Sequence, residues 1–460
     1  MTLRVKIIML IVAIAAVIGL AFLFTAAKTT LTSGKLNVTT SDAANYITVS
    51  RINPNPTVID TKNAQGTYSA QLPDGTYTVT VQNKSYSTQQ IVTVKAGQTI
   101  SASIDLVKAG PLEIVTSLGV TSVVAGSDTL RYIDTDSDAL FEINKLNQLH
   151  YIASPSPFTS VVWASATYGI ARNGDGQFYR VDGSTITPLT APFPLTNLSN
   201  SYAVSPNKDV YLTDGSKVYR GAGGQNFQAI VTSSKRISIK AASDTNVLVQ
   251  ESDPKNAKAA ASLILINHVG NTIRTEGEVY DAAFSPSGNH IVINGAARSA
   301  VLDNKLQQII RLPQNNVTSP AWVNDNTLVY AQQNKLWQFN TINGQADMIA
   351  NTDIAAIIQQ SVSADGAYVY MTTQNISDGL NPMLERVGLK KQPVAQDVTV
   401  LGLILPATVD ACRLSFVNFT APTVAIQGPK GGQAACTQKA QQYLQTYHVS
   451  STIGISFSGN

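Results

Sequence analysis

The sequence predicts a mainly β protein whose largest part is a seven-bladed β-propeller, and three observations carry that prediction. The first is a repeat of about forty residues, each copy joining a tight turn to an alternating apolar strand. Aligning the turn Ser of Ser285-Pro286-Ser287-Gly288 picks out Ala125, Ala164, Ser205, Ala241, Ser285, Val323 and Ser363, separated by 39, 41, 36, 44, 38 and 40 residues. A four-stranded blade takes about 40 to 45 residues, so seven copies make seven blades. The second is that the repeats can be filled with four strands each. In the fifth these are Val279 to Ser285, His290 to Asn294, Ala300 to Asp303 and Gln307 to Leu312. The third is composition: only 13% of the 460 residues are charged, and Ser, Thr, Asn and Gln crowd the segments between apolar runs, as suits an exported β-rich chain. Several sandwiches in series are the competing architecture.

From the N-terminus, residues 1–6 carry Arg4 and Lys6, and Ile7 to Ala27 follows as 21 uncharged residues. At about 1.5 Å per residue such a helix crosses the roughly 30 Å hydrocarbon core. The expectation is a transmembrane helix over residues 7–27, with residues 1–6 cytoplasmic and the remainder exported, because the cations precede the apolar run. A cleaved signal peptide is the rival. Its apolar region would span about 7 to 15 residues, shorter than this one, so the segment is read as an uncleaved signal-anchor.

Residues 28–34 form a polar spacer, and residues 35–107 read as short strands separated by turns. In Leu72-Pro73-Asp74-Gly75-Thr76-Tyr77-Thr78-Val79-Thr80-Val81 the Asp-Gly pair turns the chain. Tyr77, Val79 and Val81 then alternate with Thr76, Thr78 and Thr80, giving one buried and one solvated face. Val92 to Thr99 supplies a further strand and turn. This pair of motifs resembles the PEGA domain, a small surface β-sandwich, although no Pro-Glu-Gly-Ala tetrapeptide is present; carboxypeptidase-regulatory-like sandwiches share the pattern. Either resemblance implies a spacer or adhesive module without catalysis.

Lys108-Ala109-Gly110-Pro111 is the expected hinge, and the propeller is placed at residues 112–400. Its fourth strands are expected at Leu149 to Ala153, Ile186 to Leu189, Phe227 to Val231, Thr272 to Glu276 and Val398 to Leu401, with the strand that closes the last blade left open. Phe284-Ser285-Pro286-Ser287-Gly288, Val204-Ser205-Pro206-Asn207 and Val362-Ser363-Ala364-Asp365-Gly366 resemble the turns of TolB-type and WD40-like propellers, a resemblance that speaks to architecture alone. Residues 401–460 form a small α+β C-terminal unit. Its helix, Gln433 to Tyr447, places Cys436, Ala440, Tyr443, Leu444 and Tyr447 on one face.

Few residues invite chemistry. Cys412 and Cys436 are the only cysteines, and an even pair in an exported domain favours a disulfide over two buried thiols. Asp134-Thr135-Asp136-Ser137-Asp138 has the alternate carboxylates of a calcium loop, with Asp134, Asp136 and Asp138 as candidate ligands. Ala139 stands where that loop requires Gly and Lys145 where it requires Glu, so a polar hairpin turn is the favoured reading. His150, His268, His290 and His448 have no metal-ligand spacing. Trp163 and Trp322 occupy equivalent blade positions, which suits packing better than carbohydrate stacking. Neither a nucleophile elbow, a P-loop nor a dinucleotide fingerprint occurs, so no catalytic residue and no cofactor are expected.

The formal charge is +3, or +1 without Arg4 and Lys6, and no basic cluster marks a nucleic-acid partner. The expected function is therefore that of a non-enzymatic protein at the cell membrane. Anchored by one helix, it would display a propeller outside the cytoplasm for a protein, peptide or glycan of the envelope. An exported propeller enzyme of the lyase, lactonase or quinoprotein type, with its site in the channel, is the alternative.

Overall fold

The structure is a computed structural model. It describes residues 33–459 apart from 41–44, 53–56, 65–66, 84–85, 109–111, 117–118, 195–200, 256–260, 296–297, 353–354, 375–381, 390–391, 394–406, 410–411, 419–421, 430 and 447–453. The apolar segment 7–27 lies outside the described residues, among which no helix is long and apolar enough to cross a membrane. Two compact units are present: Met1–Val107 with Asn343–Asp347, and Lys108–Ile342 with Met348–Asn460.

The N-terminal unit contains two sheets. Ser33–Thr39 lies between Thr67–Pro73 and Thr99–Ser103 in one, while Thr57–Ala64, Asn45–Arg51, Gly75–Gln82 and Ser87–Val94 follow one another across the other. Alternation decides what each strand buries. Tyr77, Val79 and Val81 are fully buried, as are Leu36, Val38, Ile47, Val49 and Val94. The Tyr77 hydroxyl donates to the Pro73 carbonyl at 2.7 Å, which ties the Asp-Gly turn to its own strand.

In the second unit, six antiparallel four-stranded sheets follow one another over residues 120–152, 158–189, 202–232, 236–276, 279–311 and 318–351. We number them blades 1 to 6. The first strand of each packs against the first strand of the next, and the strand Ala356–Val362 of blade 7 packs against both blade 6 and blade 1. Seven inner strands thus close a ring, which is the architecture of a β-propeller. Apolar side chains fill the spaces between neighbouring blades: Ile133, Leu140 and Phe158 between blades 1 and 2, for example, and Leu248, Leu263 and Ile291 between blades 4 and 5.

Blade 7 is completed in a way the sequence reading left open. Ala356–Val362, Tyr368–Gln374 and Met383–Gly388 supply three strands, and Leu112–Thr116, from the start of the unit, supplies the fourth. The expected strand Val398 to Leu401 lies outside the described residues. The sheet then continues outward through Val417, which pairs with Thr116, into Cys412–Asn418, Pro422–Gly428 and Gly454–Gly459. Helix α1, Gln433–Thr446, crosses between the last two strands, which run parallel. Cys436 and Ala440 on its inner face are buried, and Cys436 is bonded to Cys412 with the Cα atoms 5.5 Å apart.

The turns leaving the inner strands share one device. In blade 5 the Ser285 hydroxyl accepts the His290 N–H at 3.2 Å, and Gly288, at φ 73°, returns its N–H to the Ser285 carbonyl at 2.8 Å. Ser205, Ser243 and Ser363 do the same for the N–H of Asp209, Asn246 and Tyr368, at or just before the start of the next strand of blades 3, 4 and 7. The paired turn residues are Gly126, Ser165, Ser205, Ser243, Ser285, Asn324 and Ser363, now 38 to 42 residues apart. Four of the sequence-aligned positions, Ala125, Ala164, Ala241 and Val323, are displaced by one or two residues. Six of the inner strands also carry a β-bulge, which adds a residue and resets the alternation.

Candidate binding face at the channel mouth

Every adjacent pair of inner strands is joined by a hydrogen bond. From blade 1 onward the contacts are Val161 N–H to Ser122 Oγ at 3.0 Å, Ser160 Oγ with Tyr202 Oη at 2.9 Å, Ile239 N–H to Ser201 Oγ at 2.6 Å and Lys240 Nζ to Tyr280 O at 3.4 Å. The Ser319 N–H to the Asp281 carboxylate, Ser319 Oγ to Ile358 O at 2.9 Å and Ala125 N–H to Ser361 Oγ at 3.2 Å complete the circuit. Inner strands have one unpaired edge, so side chains of a neighbouring blade satisfy backbone donors that a sheet partner would otherwise hold.

Counting four residues back from each turn gives Ser122, Val161, Ser201, Ile239, Asp281, Pro320 and Gln359. Asp281 therefore occupies the place where blades 1 and 3 use Ser. Its partner in blade 6 is Pro320, which has no N–H, and Ser319, at φ 45°, supplies the donor instead. Burial raises the Asp281 pKa, opposed by hydrogen bonds from the Ala282 and Ser319 N–H groups and by the charge of Lys240. Burial likewise lowers the pKa of Lys240, which Asp281 and Glu278 oppose. The mouth thus holds an ammonium and a carboxyl whose environments both favour the neutral form.

One position earlier, five back from the turn, the described residues are Thr121, Ser160, Ser238, Tyr280, Ser319 and Ile358. Four carry small hydroxyl side chains. Tyr280 and Ile358 are large and exposed, at 57% and 44%, and they flank Ser319 across blades 5 to 7. Among the described residues at this position, Tyr280 and Ile358 are thereby the two large side chains beside small hydroxyl ones. The turns between the second and third strands reach the same face: the N–H groups of Phe158, Ile237 and Ile357, at the start of inner strands, bond the carbonyls of Asp138, Gly215 and Gln333.

The Asp cluster lies in one of these turns. Asp134 is buried, and its Oδ2 accepts the Ser137 N–H at 3.2 Å as well as the Ser137 hydroxyl. Asp136 and Asp138 are exposed. Asp214 plays the same part in blade 3, accepting the Ser216 and Lys217 N–H groups at 2.8 and 2.7 Å. Among the described residues no group of three His, Cys, Asp or Glu side chains is placed to hold a metal ion. Trp163 and Trp322 reach back to the preceding inner strand, donating to the carbonyls of Ser122 and Ala283 at 2.6 and 3.0 Å. His290 Nδ1 lies 3.0 Å from the Asp325 carbonyl and His268 lies 3.8 Å from Asp209, whereas His448 is outside the described residues.

Sequence reading missed Lys240, Tyr280, Asp281 and Ile358. A charge in an alternating strand looks like a solvated face, and Asp281 emerges as the counterpart of two serines only when positions are counted back from the paired turn residues.

No family model matches this chain, and no curated protein matches it. Solved structures similar to it include one described as a streptogramin B lyase, at 9% identity and a TM-score of 0.41, covering 60% of this chain and 97% of that one. Another is described as YCF48 bound to D1 peptide, at 13% identity and a TM-score of 0.43, covering 61% and 98%. Values this low transfer no function, and the propeller assignment rests on the closed ring of strands.

Proposed function

We propose that this protein is a membrane-anchored, extracytoplasmic binding or scaffold protein: residues 7–27 hold it in the membrane, a PEGA-like unit serves as spacer, and a TolB-type propeller meets a protein, peptide or glycan of the envelope. Tyr280 and Ile358 carry the reading. Two large side chains exposed on a ring whose every interface is hydrogen-bonded lose little conformational freedom on contact, and exposed apolar groups on a rigid face suit a partner's apolar anchor. The favoured partner at this mouth is a protein or peptide segment.

The test is capture of envelope proteins by the full-length chain in its own membrane, comparing parent with the Tyr280→Ser/Ile358→Ser double variant. Loss of a specific partner from the variant supports the reading; an unchanged partner set overturns it. Protease accessibility of the propeller in intact cells tests its location.

The alternative, a channel enzyme, is favoured by Lys240 and Asp281, because neighbouring groups whose burial favours the neutral form suit proton transfer. Lys240→Met would abolish turnover in that case.

A further inference from the structure

We infer that the outer rim between blades 2 and 3 carries a second binding site, for a sugar bearing a carboxylate, independent of the channel mouth. A groove of 550 Å³ lies there, within the size range of small-ligand sites. It is lined by Arg180 and Thr187 of blade 2, Thr190 of the connection that follows, and Gln225, Asn226 and Phe227 of blade 3.

Charge selects the anion. Asp182, on the same strand as Arg180, forms its ion pair with Lys208 at 3.6 Å, and no ion pair of Arg180 occurs among the described residues. A guanidinium in a groove is a fork for a carboxylate. The glycines of the blade 3 turn shape the floor. A Cβ at Gly221 would stand 2.7 Å from the Phe227 ring, and one at Gly224 would stand 3.1 Å from Leu189 Cδ1, so both sites are filled by their neighbours. The half-buried Phe227 ring thus rests on Gly221 and lines the groove, an apolar platform for the CH face of a sugar. Gln225, Asn226, Thr187 and Thr190 surround it with donors and acceptors matched to hydroxyl groups.

The same groove disfavours an extended peptide. Its blade 2 wall is the outermost strand Thr185–Leu189, where strand addition would need a run of free N–H groups. Pro188 removes one at the groove itself.

The test uses saturation-transfer NMR on the full-length protein in detergent, with sodium glucuronate, its methyl ester, glucose and sodium acetate as probes. Glucuronate is expected to bind, with the ester and glucose weaker by about tenfold or more and acetate weaker still. Arg180→Gln should remove the preference for the acid, Arg180→Lys should keep part of it, and Phe227→Leu should weaken all sugars alike, with melting curves confirming the fold of each. Tyr280→Ser/Ile358→Ser should change nothing, so failure of the channel reading leaves this one standing. Absence of glucuronate binding at millimolar concentration overturns the site. Acetate binding as tightly as glucuronate overturns the sugar, and binding indifferent to Arg180→Gln overturns the location.

Discussion

Blades 5 and 7 follow the same four-stranded plan and complete it in opposite ways. Blade 5 is contiguous, and its outer strand, Gln308–Arg311, is a true edge, with Ile309 48% exposed. Blade 7 takes its outer strand from the other end of the propeller. Leu112, Ile114, Val115 and Thr116 are at most 1% exposed; Leu112 and Val115 pack into two buried clusters, and the strand is paired on both edges, with Met383–Gly388 and with Cys412–Asn418. Closing a ring through distant segments costs loop entropy that a hairpin does not, and blade 7 offsets that cost with interactions blade 5 lacks. Glu113 sits opposite Arg386, 2.7 Å from its guanidinium, and the same guanidinium lies 4.8 Å from the centre of the Tyr368 ring. The fourth strand of the closing blade is therefore a core strand.

The largest expected break in this contrast is Leu112→Ala. Leu112 packs with Val369, Met371 and Val387 in one buried cluster, so the truncation should cost about 2–5 kcal/mol in denaturant unfolding. A cost under about 1 kcal/mol would mean that the ring holds without this strand. Glu113→Gln comes next. It leaves Arg386, 7% exposed at its side chain, without its anion, and should cost about 1–3 kcal/mol. A double-mutant cycle with Arg386→Gln separates the pair from the packing around it.

A third prediction concerns blade 5, whose inner strand carries the titrating Asp281 where blade 7 has the neutral Gln359. Burial holds the Asp281 carboxyl above its ordinary 3.8. Between that value and the folded one the native state binds more protons than the unfolded state, so stability falls as pH rises through that window. Asp281→Asn keeps an oxygen for the Ala282 and Ser319 N–H groups and removes the titration. Relative to the parent, the variant should gain stability as pH rises from the ordinary carboxyl value through the raised one and gain no more above it, read as melting temperature at each pH. Parallel pH profiles would show that the carboxyl is not perturbed.

What could be read from the sequence follows the range of the interactions involved. Tyr77, Val79 and Val81 announce their buried face by alternation alone, and Ser285-Pro286-Ser287-Gly288 announces a turn because its bonds close within six residues. Leu112-Glu113-Ile114-Val115-Thr116 reads equally well as a strand, yet nothing local says that its partner is Met383–Gly388. Pairing across that separation depends on ring closure. The mouth was hidden for a third reason: the small hydroxyl side chains that Tyr280 and Ile358 replace line up only when positions are counted back from the paired turns. Had Ser122 and Ser201 been aligned four residues before their turns, Asp281 would have stood out as a carboxylate in a hydroxyl position.

The smallest expected effect returns to the outer strands. Ile309 has the same apolar character as Ile114, and each sits in the fourth strand of its blade, yet one is half exposed and the other is fully buried. Ile309→Thr should change unfolding stability by no more than about 0.5 kcal/mol, since threonine keeps the β-branch and little apolar surface leaves a buried site. The same substitution at Ile114 places a hydroxyl in a core strand and should cost about 1–3 kcal/mol. Equal effects at the two positions would mean that Leu112–Thr116 behaves as an edge in solution and that the C-terminal unit does not cover it.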